Sequence, residues 1–223
     1  ADRMLKMKIQ GVIFDMDGLV FDTEKLAMWS IQELGKRRGV DYKAGMPDLM
    51  GVNASMAERA YKKRFGEEFD YWDYRAERQK LVDLYIKENG LPKKRGLDEL
   101  LTFLQSQKIP MALGTSCEEK LVKRYLEIAG ITSYFSVVIC GNMVEKSKPD
   151  PEIFLTAASK LGTEPGNTLV LEDSYHGIRA AHAGGFLSCM VPDLQPVTEE
   201  MRELSNWQMQ NLEEVIPLIQ KNI

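Results

Sequence analysis

The sequence predicts an α/β protein in which a parallel sheet is flanked by helices and interrupted by an inserted all-helical segment. Three observations lead there. Short apolar runs alternate with amphipathic helical patterns along most of the chain. Those runs are almost continuously apolar, the pattern of strands covered on both faces rather than solvated on one. From Glu24 to Pro92 the strand-like runs stop while helical patterns continue.

The first strand is expected over Ile9 to Phe14, ahead of the insert. Within the insert Ala27, Ile31 and Leu34 share one helix face and Leu81, Leu84 and Tyr85 another, with Gly39, Gly45, Pro47 and Gly66 as breaks. Its aromatic residues, Trp29, Tyr71, Trp72 and Tyr74, are assigned by default to the segment's own core. Lys93 to Gly96 returns the chain to the alternating part. A helix with Leu97, Leu100, Leu101 and Leu104 at i, i+3, i+4 and i+7 then leads to a second strand, Pro110 to Gly114. Val122, Tyr125, Leu126 and Ala129 repeat that spacing before a third strand, Phe135 to Cys140. Phe154, Ala157, Ala158 and Leu161 repeat it before a fourth, Thr168 to Leu171. A fifth strand, Phe186 to Val191, precedes a last stripe of Leu212, Val215, Ile216 and Ile219. Gly130 and Gly162 stand where helices end and Pro151 where one begins. The expected division is a discontinuous core of residues 1–20 and 95–223 around a helical domain of residues 21–94 with its hinge segments. At about 150 residues per domain, 223 residues suit one main domain and a smaller insert.

An apolar fraction of 44% and a charged fraction of 28% allow a sizeable core without metal or disulfide staples. Acidic residues outnumber basic ones, 33 to 29, for a net charge of −4. That leaves no basic field for a nucleic acid or an anionic membrane, so the expected partner is a small molecule. Cys117, Cys140 and Cys189 contain no C-x-x-C pair, which fits neither a disulfide framework nor a zinc site and suits a reducing cytoplasm. No apolar stretch reaches the roughly 18 to 20 residues a bilayer requires. Ala1 to Lys8 is a charged run without a signal-peptide core.

Chemistry concentrates where the predicted strands end, the edge at which open α/β sheets place ligands. The first strand runs into Asp15-Met16-Asp17-Gly18, the second into Thr115-Ser116, the third into Lys146-Ser147-Lys148-Pro149, and the fourth into Glu172-Asp173-Ser174 with Gly177 close behind. Each alone has an ordinary explanation as a helix cap, a turn or a surface charge. Four in succession have a common purpose in phosphoryl transfer. A carboxylate nucleophile approaching a phosphate dianion needs Mg²⁺, a lysine and hydroxyl or backbone donors to offset like-charge repulsion. One aspartate can take the phosphoryl group covalently, and a second, two residues along, can serve as acid and then base.

With these residues the chain resembles the haloacid dehalogenase superfamily of aspartyl-phosphate hydrolases, in the branch that includes β-phosphoglucomutase. Phe14 to Glu24, Gly114-Thr115-Ser116, Lys146 to Pro151 and Leu171 to Ala181 carry the family's four motifs in order. The resemblance implies a Rossmann-like parallel sheet and a mobile helical cap hinged near Leu19 to Thr23 and Lys93 to Gly96. It implies Asp15 as nucleophile and Asp17 as general acid/base. It implies Mg²⁺ held by the Asp15 side chain, the Asp17 backbone carbonyl and Asp173, with Glu172 close to the metal. Phosphoryl oxygens are expected on Thr115, Lys148 and the backbone N–H of Ser116, and a monomer is expected.

Departures from the mutase pattern narrow the activity. The cap histidine and the arginine that grips a second phosphate are replaced by Ala27 and Ala54, and the sugar-phosphate run after the second motif reads Cys117-Glu118-Glu119. Two acids there are expected to repel a bisphosphate. The expected function is therefore a Mg²⁺-dependent phosphatase acting on a small phosphorylated metabolite with a single phosphate. The alternatives are a β-phosphoglucomutase-like sugar phosphomutase and a catalytically idle binding protein. A dehalogenase lacks the second aspartate and the metal, and a signalling receiver domain is about half as long. Cys117 is read as inert, because His176 and His182 fall on a different predicted helix.

Overall fold

The computed structural model describes residues 8–223, so residues 1–7, with nearly all of the charged start and the first part of the expected core segment, lie outside it. Among the described residues the sheet has six parallel strands. They are β1 (Gly11–Phe14), β2 (Met111–Gly114), β3 (Val137–Ile139), β4 (Thr168–Glu172), β5 (Leu187–Met190) and β6 (Trp207–Gln208), in the order β3-β2-β1-β4-β5-β6. The first strand is thus central, and the chain builds outward from it in both directions. The point where the direction reverses leaves a crevice at the strand ends between β1 and β4.

Alternation along each strand divides the core into two layers. Val12 and Phe14 face Leu97, Leu101, Val122 and Ile219, carried by α4 (Leu97–Ser106), α5 (Glu119–Ala129) and α9 (Val215–Gln220). Ile13 and Val170 face Phe154, Ala157 and Ala181, carried by α6 (Glu152–Leu161) and α7 (Tyr175–Ala183). Four of the strands are buried throughout, as their unbroken apolar runs require. In β3, by contrast, Val137 and Val138 are half-buried, because this strand is the sheet edge. Two-residue β6 is too short to leave a pattern in the sequence.

The insert contributes α1 (Glu24–Arg38), α2 (Ala54–Phe65) and α3 (Tyr71–Asn89). Asn53 accepts from the Met56 N–H and Asp70 from the Asp73 N–H, so both later helices start on side-chain caps. Tyr42, Tyr61, Tyr71 and Tyr74 form the insert's core with Leu34 and Leu81, and the hydroxyls of Tyr61 and Tyr74 lie 3.0 Å apart. Trp29 and Trp72 are exposed instead. So are Leu84 and Tyr85, contrary to their expected place beside Leu81. The buried side of α3 passes through Tyr74, Leu81, Val82 and Ile86, with the last two packed on the main core, and this turns Leu84 outward. Two backbone bonds pin the connecting segments, Asp22 N–H to Pro92 O and Lys94 N–H to Val20 O, each 2.9 Å. No helix of the described residues is long and apolar enough to cross a membrane.

Candidate active site

Lys148 organises the crevice. Its Nζ donates to Asp15 Oδ1 at 2.8 Å, Glu172 Oε2 at 2.8 Å and the Gly114 carbonyl at 3.3 Å, and it lies over the Phe154 ring. All three ammonium donors are used, which is what full burial of a lysine demands. Desolvation opposes the charge, but Asp15 and Glu172 overcome it and hold the Lys148 pKa above the ordinary lysine value.

The carboxylates around it differ in their partners. Glu172 Oε1 accepts the N–H groups of Asp173 and Ser174 and the Ser174 hydroxyl, so both of its oxygens are committed within the chain. Asp173 is buried, and neither of its oxygens has a hydrogen-bond partner among the described residues. Burial, then the charges of Asp15 and Glu172, push its pKa well up. A buried carboxylate in that position requires a cation or a proton. One oxygen each from Asp15, Glu172 and Asp173 lies within 4.8 Å of the others, and the donor set is purely carboxylate. These residues fit a hard cation such as Mg²⁺, with Asp15 and Asp173 holding the free capacity and Glu172 anchoring Lys148.

Two glycines make this packing possible. Gly18 has φ +78°, and a Cβ there would sit 2.1 Å from Asp173 Oδ2. A Cβ on Gly177 would sit 1.8 Å from Glu172 Oε2. Gly177→Ala is therefore expected to displace Glu172 from Lys148 and cost about 1–3 kcal/mol. Thermal unfolding reads this as a Tm lowered by roughly 2–4 °C per kcal/mol; an unchanged Tm would mean that the site tolerates the methyl.

Asp17 stands apart from the three-carboxylate group. Its Oδ1 accepts from the Thr23 hydroxyl at 2.5 Å and its Oδ2 from the Cys117 thiol at 2.7 Å. Burial, and then Asp17 itself, push the Cys117 thiol up, so the cysteine is a proton-bearing donor rather than a nucleophile. Sequence reasoning missed both contacts, since neither a threonine within the hinge segment nor a lone cysteine carries a pattern. Thr115 Oγ1 accepts from the Cys117 N–H at 3.2 Å and faces the same space. The Ser116 side chain is committed to the insert: its hydroxyl donates to the Gly51 carbonyl at 2.5 Å.

A cavity of about 510 Å³ lies between insert and sheet, lined below by Asp15, Asp17 and Thr115 and above by Met28, Asn53 and Arg78. Gln195 to Asp48 (2.6 Å), Arg75 to Glu118 (2.9 Å) and Gln79 to Tyr125 (3.2 Å) join the two sides, so the insert is seated over the crevice. Ala27 and Ala54 both line the cavity. The acids after Thr115-Ser116 act differently from the repulsive pair expected. Glu118 is paired with Arg75 and Glu119 with Lys123, so their charge is offset within the chain.

A family model described as haloacid dehalogenase-like hydrolase matches residues 12–191. A phosphorylated carbohydrates phosphatase of Thermotoga maritima is 30% identical over 191 residues, covering 79% of this chain and 82% of that protein. Hexitol phosphatase B of Escherichia coli K12 is 27% identical, covering 93% and 95%. Among solved structures, a β-phosphoglucomutase from Clostridium difficile superposes with a TM-score of 0.77 at 23% identity, covering 96% of each chain, a likeness of fold. The length of the family match, set on this crevice and sheet order, places the chain in the haloacid dehalogenase-like hydrolase family.

Proposed function

We propose that the protein is a Mg²⁺-dependent phosphatase that releases inorganic phosphate from a small phosphorylated metabolite through an aspartyl-phosphate on Asp15. The observation that carries this reading is the fully buried Lys148 bridging Asp15 and Glu172 beside an Asp173 carboxylate without a partner. Relatives that act as phosphatases of phosphorylated carbohydrates and hexitols support it.

Lys148 holds Asp15 by Oδ1, which leaves Oδ2 to attack phosphorus. As the Asp15 oxygen bonds to phosphorus, the bond to the leaving oxygen breaks, and Asp17 delivers a proton to that oxygen. Asp17 then takes a proton from water, the water oxygen bonds to phosphorus, and the bond to Asp15 breaks, restoring the carboxylate. Lys148, the Thr115 hydroxyl and the Ser116 N–H balance charge on the phosphoryl oxygens. The Asp15 and Asp173 carboxylates and the Asp17 backbone carbonyl would hold Mg²⁺, which supplies further neutralisation of the phosphoryl charge. The insert seated over the crevice narrows the access of bulk water to it.

Phosphate release from sugar, polyol and hydroxy-acid phosphates is expected to require Mg²⁺, to stop with chelator and to return on adding the metal back. Turnover that continues undiminished in chelator would overturn the metal assignment. Conversion of β-glucose 1-phosphate to glucose 6-phosphate faster than hydrolysis would favour a mutase.

A further inference from the structure

The cap side of the cavity carries a cation that the proposed hydrolysis does not use. Arg75, Arg78 and Gln79 of α3 all line the cavity. Arg75 is paired with Glu118, and Gln79 donates to Asp83 and Tyr125. Arg78 has no acidic partner among the described residues. Its Nε donates to Ser30 Oγ at 3.2 Å and its Nη2 reaches the Ala27 carbonyl only at 3.5 Å, and its Cζ lies 5.2 Å from the centroid of the buried Tyr74 ring. A guanidinium has five donors in a fixed fork suited to carboxylate and phosphoryl groups. Held by Tyr74 and by Ser30 and Ala27, which line the same cavity, this one has further donors that no described residue takes up. The small side chains of Ala27 and Ala54 leave that space open.

We propose that Arg78 is a specificity-determining residue that binds a second anionic group of the substrate, a carboxylate or a distal phosphoryl, while the reacting phosphoryl group lies against Asp15. The preferred substrates are then phosphorylated acids or bisphosphates rather than neutral polyol phosphates. This assignment rests on the phosphatase reading above.

Two pairs of compounds test it: 3-phosphoglycerate against glycerol 1-phosphate, and fructose 1,6-bisphosphate against fructose 1-phosphate. The anionic member of at least one pair is expected to have a higher kcat/KM, and which pair discriminates identifies the second group. Arg78→Gln should lower kcat/KM for that member roughly 10- to 100-fold, the range of a lost charged hydrogen bond, with its neutral counterpart nearly unchanged. Arg78→Lys should recover part of the preference. Equal losses on both members would assign Arg78 to bracing Ser30 and Ala27, and a wild-type enzyme without preference in either pair would overturn the proposal. Failure to hydrolyse any of the four would count against the phosphatase reading instead. Calorimetric titration with 3-phosphoglycerate and fructose 1,6-bisphosphate then decides on Arg78: weaker binding of either ligand to Arg78→Gln supports the role, and no ligand binding better to wild type than to the variant overturns it.

Discussion

Asp15→Asn is expected to lower phosphate release on the order of 10⁴-fold or more, since loss of a covalent nucleophile removes the reaction path rather than one contact along it. The substitution is nearly isosteric. Lys148 keeps Glu172 and the Gly114 carbonyl as acceptors, so the crevice should retain its shape. Steady-state phosphate assays beside thermal unfolding check both halves of the expectation. A folded variant that turns over within tenfold of wild type would remove Asp15 from the nucleophile role.

The second large effect belongs to Lys148. Lys148→Met leaves Asp15 and Glu172 facing each other in a buried crevice without their shared cation, and removing one partner of such a group costs about 3–5 kcal/mol. In chelator this corresponds to a Tm lowered by roughly 6–20 °C, together with loss of turnover. The pH dependence has a definite sign. In the wild type the folded-state pKa of Lys148 is raised, so its stabilisation is fully present at neutral pH and is lost only in strongly alkaline solution. Burial and Asp15 raise Glu172 even with Lys148 present to oppose them. A carboxyl with a raised folded-state pKa favours the folded state at low pH and disfavours it as pH rises. The deficit of Lys148→Met should therefore shrink as pH falls from neutral into the acid range and Glu172, no longer paired with a cation, takes up a proton. A deficit constant over that range would mean lost packing rather than lost charge.

The strands were legible because burial on both faces leaves runs such as Val12 to Phe14 and Leu169 to Leu171 without polar interruption. Asp15, Glu172 and Asp173 were legible because strand ends are where the fold collects them, and Lys148 because it lies in the connection that follows β3. What could not be read was the choice of partner. The contact of Cys117 with Asp17 spans 100 residues, and that of Arg75 with Glu118 spans 43. The first depends on β1 and β2 lying side by side and the second on how the insert seats on the sheet, neither of which local periodicity encodes. The same holds for Ser116, whose hydroxyl Gly51 claims, and for Leu84, which the rotation of α3 turns outward.

The central place of β1 has a consequence for the order of assembly. Val12 pairs with Met111 on one side and with Leu169 on the other, so the middle strand of the sheet has no neighbour close to it in the chain. Closing such long loops costs entropy before any contact repays it, and this topology slows folding. A chain emerging from its N-terminal end presents this apolar strand before either of its partners and must leave it unpaired until the whole insert and the next helix have followed. The tyrosine cluster of the insert, with its contacts drawn from within residues 31–81, can consolidate in that interval. Exposure of β1 during this wait leaves the nascent polypeptide open to aggregation.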